Sequence, residues 1–333
     1  MTEGSTPIDR RQFLQGCAAC SAHIALLASA SPVGAARAFA AAQDSNVVVR
    51  EPWARIEEVA DGIWAVISTP LEDRTTICNG GIIRGSGGVL VVESFASPDG
   101  ATWAAEQART LTGRWPDAIV LTHYHSDHTG GLAGYATDAD TWPPTHSTAV
   151  TRDLVVAQDR QNDVDPQAVK ERMLAGCTLI DPARQSTIDL GDRTVRVFPR
   201  DGHTKSDVTL EIIDPPVIFC GDLVWNRMFP NYMDAIPSHL DASVRSLLMD
   251  RFDTVYVPGH GALASASDIF TYIRVLNAVE EAARQAVTSG TTAAAAAESF
   301  TLPDSVGEWT LFSPRYYETA INAWIKELRP DGA

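Results

Sequence analysis

Residues 118–131 read AIVLTHYHSDHTGG, and this stretch decides the fold. It begins as a short apolar run, which predicts a strand, and then presents four side chains of metal-ligating type within six positions. Because alternate residues of an extended segment point to the same face, His123 and His125 can bind one ion together. Asp127 and His128 follow where the chain turns, and they can reach a second ion beside the first. The stretch therefore predicts a metal centre at the end of a strand.

A polar loop that is rich in histidine by chance is a poor alternative. The chain has only 8 histidines in 333 residues, and three of them fall in this short stretch beside an aspartate. His146 and His239, by contrast, have no motif around them, and we interpret them as structural or surface histidines.

Three later segments each place a His or Asp beside a glycine, directly after an apolar run that predicts a strand. These segments are Asp201-Gly202-His203-Thr204, Cys220-Gly221-Asp222 and Pro258-Gly259-His260-Gly261. We interpret Cys220 as a core residue rather than a ligand. Side chains at several strand ends can converge at one edge of a sheet, where a rigid scaffold holds them in place.

The order His-x-His-x-Asp-His, Gly-His-Thr, Gly-Asp and Gly-His-Gly resembles the metallo-β-lactamase superfamily over residues 50–265. The resemblance implies an α/β fold of the α+β kind, a four-layer αββα sandwich in which two mixed β-sheets pack face to face with helices outside. Residues 266–333 then form a helical C-terminal extension that packs on this domain. The resemblance also implies two metal ions at one edge of the sandwich.

The same resemblance implies a role for each ligand-type residue. It divides them into two groups and one bridging ligand: His123, His125 and His203 for one ion; Asp127, His128 and His260 for the other; and Asp222 between them. Both ions are expected to be Zn²⁺, with iron or manganese as alternatives, because imidazole ligands suit these metals. Two such ions would share a hydroxide that attacks an acyl carbon. Asp127 is the expected catalytic residue, since it would orient that nucleophile and relay its proton.

The expected activity is hydrolysis of a small-molecule ester, thioester, lactone or similar acyl bond. Asp222 favours this interpretation, because superfamily members that cleave such bonds keep an aspartate where true metallo-β-lactamases generally have cysteine or serine. Glyoxalase-II-type hydrolases share the ligand order, but the basic residues of their glutathione-binding region are not found in residues 265–333. There are two alternatives. One is class B β-lactamase activity, and the other is a non-catalytic periplasmic accessory protein that binds metal. A redox enzyme that uses iron is less favoured.

Large apolar side chains are concentrated directly after the Gly-Asp motif. They are Trp225, Met228, Phe229, Tyr232 and Met233. Two interpretations are equally open, since these side chains can wall an apolar substrate pocket or simply cover the edge of the sheet.

The composition excludes several other classes of protein. Acidic residues number 42 against 26 basic residues, and the formal net charge of −16 disfavours a nucleic-acid partner. With 45% hydrophobic and 20% charged residues, the chain can form a core, so a wholly disordered protein is excluded. No apolar run reaches the roughly 18 residues of a membrane span, so no stable membrane anchor is expected.

Residues 1–40 have the order of an export signal: a basic start, a mildly apolar stretch and small residues before the expected cleavage after Ala40. Arg10 and Arg11, followed by Gln-Phe-Leu, resemble the twin-arginine type. The prediction is a periplasmic or secreted protein whose partner during export is the twin-arginine machinery.

The body alternates short apolar runs with glycine-containing turns, and later becomes helical. Strands are predicted at Gly62–Ser68, Gly81–Arg84, Val89–Glu93, Ala118–Thr122, Thr194–Pro199, Val208–Ile213, Val217–Cys220 and Thr254–Val257. Helices are predicted at Asp99–Thr112, Asp153–Ala175 with a break at Pro166, Ser265–Ser289 and Pro314–Leu328.

Overall fold

Apolar strands and amphipathic helices alternate along the protein, and the computed structural model describes them over residues 46–68, 73–161, 168–248 and 253–329. The strands in these ranges are β1 (Val47–Arg50), β2 (Ala54–Ala60), β3 (Ile63–Ser68), β4 (Gly80–Arg84), β5 (Val89–Val92), β6 (Ala118–Val120), β7 (Thr145–Thr148), β8 (Thr178–Ile180), β9 (Ser186–Asp189), β10 (Thr194–Arg200), β11 (Asp207–Ile212), β12 (Val217–Asn226) and β13 (Val255–Gly261).

The α-helices of the same ranges are α1 (Pro98–Thr112), α2 (Ser126–Thr129), α3 (Ala149–Gln161), α4 (Ala168–Ala175), α5 (Pro237–Ser246), α6 (Ala266–Ser289), α7 (Ala293–Ser299) and α8 (Tyr316–Leu328). Their ends follow ordinary capping rules. Helix α6, for example, begins after Ser265, which forms a capping box with Asp268, and ends at Gly290 in the left-handed conformation.

The strands form two mixed sheets. β1 to β8 lie side by side in chain order, antiparallel from β2 to β5 and parallel from β5 to β8. The second sheet has the order β13-β12-β11-β10-β9, in which β12 and β13 are parallel and the other pairs are antiparallel.

Three hydrophobic clusters separate four layers. One cluster lies between the two sheets and takes side chains from β3 to β6 and from β10 to β13. A second packs the outer face of the eight-stranded sheet against α1, α3 and α4, and a third packs β12 against α5, α6 and α8. This arrangement confirms the predicted αββα sandwich with helices in its C-terminal part. The division into a body at 50–265 and an extension at 266–333 stays a prediction, and both parts lie within one compact unit, Val48–Ala333.

All eight predicted strands are present, but β12 and β13 end several residues later than predicted. β12 continues through Asp222 to Asn226, and β13 continues through His260 to Gly261, so these motifs lie within paired strands rather than after them. The parallel pairing of β12 with β13 has register shifts around Gly221, and these irregularities let the two strands stay paired through the motifs.

Five strands were not predicted, namely β1, β2, β7, β8 and β9. They are short or polar, as in ARIEEVA of β2 and STID of β9, so their apolar pattern is weak. The predicted helices are present as α1, α6, α8 and the pair α3 and α4, although residues 162–167, which include Pro166, lie outside the described residues.

In the described ranges, every helix is too short or too polar to cross a membrane. The predicted export signal at residues 1–40 lies outside the described residues and stays a prediction.

The close approach of the two sheets generates a first prediction. A methyl group at Gly81 in β4 would lie 2.0 Å from Cε1 of Phe219 in β12. Gly81→Ala should therefore lower the free energy of unfolding by about 1–3 kcal/mol through overpacking, as measured by urea denaturation. Gly176→Ala is the control, because the nearest atom to its new methyl group lies 3.5 Å away. Equal stability of the two variants would contradict this account of sheet packing.

Candidate metal centre

The seven side chains predicted as ligands come from both sheets and meet at one edge of the sandwich. His123 and His125 follow β6, while Asp127 and His128 lie in α2. His203 follows β10, Asp222 lies in β12 and His260 lies in β13. The structure thus brings together residues that are up to 137 positions apart, and it places them in overlapping groups of potential ligands.

The first group consists of three imidazoles and one carboxylate. Nδ1 of His125 lies 3.2 Å from Nε2 of His123 and 3.0 Å from Nε2 of His203. Ligand nitrogens around a tetrahedral Zn²⁺ are about 3.3 Å apart, given Zn–N bonds of about 2.05 Å. These three histidines, with Asp222 beside them, therefore have the spacing of a metal site.

The second group consists of Asp127, His128 and His260. Oδ2 of Asp127 lies 3.2 Å from Nε2 of His260 and 3.7 Å from Nε2 of His128. This set of two imidazoles and one carboxylate is a common zinc ligand set.

Asp222 lies between the two groups. Its Oδ1 is 3.0 Å from Nε2 of His128, and its Oδ2 is 3.3 Å from Nε2 of His203 and 3.4 Å from Nε2 of His260. A carboxylate with contacts to both groups is placed to bridge two ions.

Several buried polar atoms of the centre lack a hydrogen-bond partner. They include Nε2 of His128, Nε2 of His260 and Oδ1 of Asp222. A buried polar atom without a partner costs roughly 1–3 kcal/mol, and these three converge on one another. A cation among them would satisfy all three at once, so the residues present fit a metal centre.

Burial keeps two imidazoles of the first group, those of His123 and His203, in the neutral form that binds metals. It lowers the pKa of His203 to about 3 and that of His123 well below its usual value. At His260 burial also favours the neutral form, but Asp222 and Asp127 overcome it and raise the pKa to about 9. The raised pKa means that His260 holds a proton when no metal is bound. A bound cation would replace this proton as the positive charge that faces the Asp222 and Asp127 carboxylates.

Two further carboxylates lie beside the outer nitrogens of the histidines. Oδ2 of Asp234 lies 3.0 Å from Nε2 of His125, and Oε1 of Glu93 lies 3.0 Å from Nδ1 of His128. The hydrogen bond from His125 lowers the pKa of the Asp234 carboxyl, which keeps it ionised. A hydrogen-bonded outer partner such as Asp234 fixes the orientation of a metal-binding imidazole.

Neither outer carboxylate was predicted as part of the site. Glu93 directly follows β5, the neighbour of β6, so its position at a strand end was a usable signal. Asp234 is 109 positions from His125 and stands in a segment without a motif, so no signal could have found it.

The Asn79 amide and the Trp225 indole contact the segment that carries His260, and the sequence analysis predicted neither contact. Nδ2 of Asn79 donates to the carbonyl oxygens of Pro258 and Gly261 at 3.0 and 2.8 Å. The Trp225 ring lies against the His260 ring with 4.0 Å between centroids and an angle of 31°.

The other residues that the sequence analysis discussed lie apart from the ligand groups. Among the described residues, His146 and His239 belong to no candidate metal group, and His239 instead bonds Asp201 at 2.6 Å. Cys220 is buried in the cluster between β12 and the helices, as expected for a core residue. Phe229 and Tyr232 are core residues too, whereas Met233 is exposed.

Comparison with known proteins gives the family. A profile of the metallo-β-lactamase superfamily matches residues 73–260, which is more than half of the chain. A hydroxyacylglutathione hydrolase from Shewanella sp. is 26% identical over 64% of this chain and 68% of its own length. The alpha subunit of a 2,4-dinitroanisole O-demethylase from Nocardioides sp. is 27% identical over 59% of this chain and 58% of its own length.

Solved structures with low sequence identity share the fold. A metallo-β-lactamase from Erythrobacter litoralis superposes with a TM-score of 0.55 at 17% identity, over 69% of this chain and 98% of that protein. A sec-alkylsulfatase from Pseudomonas sp. superposes with a TM-score of 0.63 at 16% identity, over 82% of this chain and 50% of that protein. The family profile, the fold and the cluster of candidate ligands all indicate the same family. The chain belongs to the metallo-β-lactamase superfamily as one of its metal-dependent hydrolases.

Proposed function

We propose that the protein is a two-metal hydrolase that cleaves an ester, thioester, lactone or similar acyl bond of a small molecule. The observation that carries the proposal is the position of Asp222 between a three-histidine group and an Asp-His-His group. Zn²⁺ suits both ligand sets, with iron or manganese as alternatives. When bound, such ions supply a nucleophile at neutral pH and stabilise negative charge on the carbonyl oxygen.

The chain's own contribution is to orient water and to hold a proton. The Asp127 side chain is 26% exposed, whereas that of Asp222 is 2% exposed, so solvent and substrate can reach only the first of these two carboxylates readily. Burial opposes ionisation of Asp127, but His128 and His260 overcome it and lower its pKa to about 2. An ionised Asp127 can orient an attacking water and accept its proton at Oδ2.

Asp222 favours acyl bonds other than β-lactams, because no thiol takes its place. The cysteine nearest to Asp222 in the sequence, Cys220, lies in the core, where burial raises the pKa of its thiol above the usual range. The hydroxyacylglutathione hydrolase relative, which by its name hydrolyses a hydroxyacylglutathione, supports hydrolysis of an acyl bond. β-Lactam hydrolysis is the second candidate, and it rests on the shared fold alone.

The N-terminal sequence supports a proposal on location. We infer that residues 1–40 direct export through the twin-arginine route and that the enzyme acts in the periplasm or outside the cell. The support is the order of Arg10-Arg11, an apolar stretch and small residues up to Ala40.

Replacing Asp127 tests the proposed chemistry. Asp127→Ala should lower kcat/KM at least 100-fold, because a positioned proton acceptor contributes about 10²–10⁴-fold to the rate. The assay uses protein loaded with two equivalents of Zn²⁺ and follows turnover of thioester, lactone and cephalosporin reporters. Plasma mass spectrometry of the variant should still find a bound ion, as expected if the three-histidine group keeps its metal. Asp61→Ala is the control, because that side chain is 91% exposed. An unchanged rate removes Asp127 from the mechanism, and a metal-loaded wild type without any turnover favours the accessory protein.

Replacing Asp234 tests whether the outer carboxylates support the metal centre. Asp234→Asn should weaken Zn²⁺ binding by about 10–100-fold, because the orientation and basicity of His125 depend on this partner. Competition with a fluorescent chelator measures the affinity. Asp201→Asn is the matched control, since it removes the same kind of contact from His239, which belongs to neither ligand group. Equal zinc affinity of the two variants would show that Asp234 has no role at the centre.

A further inference from the structure

One buried carboxylate lies behind both ligand groups of the centre. The Glu93 side chain is 2% exposed, and its Oε1 lies 3.0 Å from Nδ1 of His128, a member of the Asp-His-His group. The same oxygen accepts a hydrogen bond from the hydroxyl of Thr122. That hydroxyl lies 3.0 Å from Nδ1 of His123, a member of the three-histidine group. Glu93 therefore reaches one imidazole of each group, one directly and one through a hydroxyl.

The Thr122 hydroxyl determines which nitrogen of His123 can bind a metal. An ionised carboxylate only accepts hydrogen bonds, so Thr122 donates its single hydroxyl proton to Glu93. The hydroxyl oxygen can then only accept from Nδ1 of His123, which must carry the proton of the neutral ring. Nε2 keeps its lone pair, and it is the nitrogen that faces the ligand group, 3.2 Å from Nδ1 of His125.

Glu93 has the corresponding effect on His128. A carboxylate beside one ring nitrogen of a histidine stabilises a proton there and leaves the other nitrogen for the metal. The other nitrogen of His128, Nε2, lies 3.0 Å from Oδ1 of Asp222 and 3.7 Å from Oδ2 of Asp127. Glu93 therefore favours the form of His128 that offers Nε2 to an ion among these carboxylates.

The backbone around Glu93 is fixed to the segments that it serves. The Glu93 amide donates to the carbonyl of Val120 in β6, and the Tyr135 hydroxyl donates to the Glu93 carbonyl, each at 2.9 Å. The amide and the hydroxyl of Ser94 both donate to the carbonyl of His128, at 2.9 and 3.0 Å. Glu93 has a φ of 76°, a conformation that a residue with a side chain keeps only where its surroundings hold it. These bonds supply that support and leave the carboxylate little freedom to move.

We propose that Glu93 is a positioning residue shared by both ligand groups, which orients His128 directly and His123 through Thr122, so that the affinities for both ions depend on it. The inference rests on the proposed two-metal hydrolase and names the side chain that supports both halves of its centre. Asp234, in contrast, bonds His125 and so supports the three-histidine group.

The variant Glu93→Gln tests the shared role through metal affinity. Oε2 of Glu93 accepts from the amide of Thr122 while Oε1 accepts from its hydroxyl, and glutamine has only one oxygen to replace these two acceptors. Both zinc sites should therefore weaken by about 10–100-fold. Competition with a fluorescent chelator during stepwise loading of the full-length protein measures the two affinities. Glu57→Gln is the control and should bind both ions as the wild type does, because Glu57 is also 2% exposed but pairs with Arg55.

The variant Thr122→Val tests the hydroxyl alone. It should weaken the three-histidine site about tenfold and leave the other site unchanged, because Glu93 still lies beside His128. Valine has nearly the shape of threonine, so this variant tests the proposal even if Glu93→Gln does not fold. Thr122→Ser restores a hydroxyl and should bind both ions as the wild type does. Thr209→Val is the matched control, since Thr209 is also buried and its hydroxyl also bonds a glutamate.

Histidine NMR of the zinc-loaded protein distinguishes positioning from a merely structural role. An imidazole N–H that faces an oxygen acceptor exchanges slowly and gives a proton signal at low field. With ¹⁵N-histidine labelling, the wild type should show such a signal from Nδ1 of both His123 and His128. Thr122→Val should shift the His123 signal only, whereas Glu93→Gln should shift both.

The outcomes separate this inference from the proposed hydrolysis. If Glu93→Gln weakens neither site or only one, or if Thr122→Val weakens both sites equally, Glu93 is not a shared positioning residue. Turnover of the thioester or lactone reporters by the wild type would leave the hydrolase standing in that case. Dependence of both sites on Glu93 without turnover of any reporter would support the positioning role and count against the proposed hydrolysis.

Discussion

A buried carboxylate surrounded by imidazoles is the constraint on which this structure depends. The Asp222 side chain is 2% exposed, and the Nε2 atoms of His123, His128, His203 and His260 lie 3.0–3.9 Å from its oxygens. A negative charge in this position is stable only when positive charge faces it, because burial removes its hydration. Metal ions held by the same imidazoles would meet this requirement, and the stability of the centre and its chemistry would then have one physical origin.

The fold meets that constraint by joining its two sheets at the edge where the ligands lie. The amide of Val208 at the start of β11 donates to the carbonyl of Thr122, just before His123, at 2.9 Å. The amide of Asn79 donates to the carbonyl of Gly259 at 2.7 Å, which ties the start of β4 to the His260 segment. A shift of one sheet against the other would therefore pull apart the members of each ligand group, since each group takes residues from both sheets. Tight packing between the sheets is thus a condition for the site as well as for stability.

The sequence was sufficient to predict the fold class and to single out the side chains that meet at the candidate centre, because both have local signals. His123, His125, Asp127 and His128 stand within one short motif, and each later motif places a His or Asp beside a glycine after an apolar run. Asp234 and the ring contact of Trp225 with His260 could not be predicted, because they depend on how distant segments pack. The same reason explains why the residues after Asp222 stayed ambiguous, since only packing separates the buried Tyr232 from the exposed Met233 one position later.

Diffraction from crystals of the zinc-loaded protein at the zinc absorption edge tests the central claim most directly. The account predicts two anomalous peaks about 3.5–4 Å apart, as in two-metal hydrolytic sites. One peak should lie among His123, His125 and His203, and the other among Asp127, His128 and His260, with Asp222 between them. A single peak, or no peak within reach of Asp222, would contradict the two-metal centre.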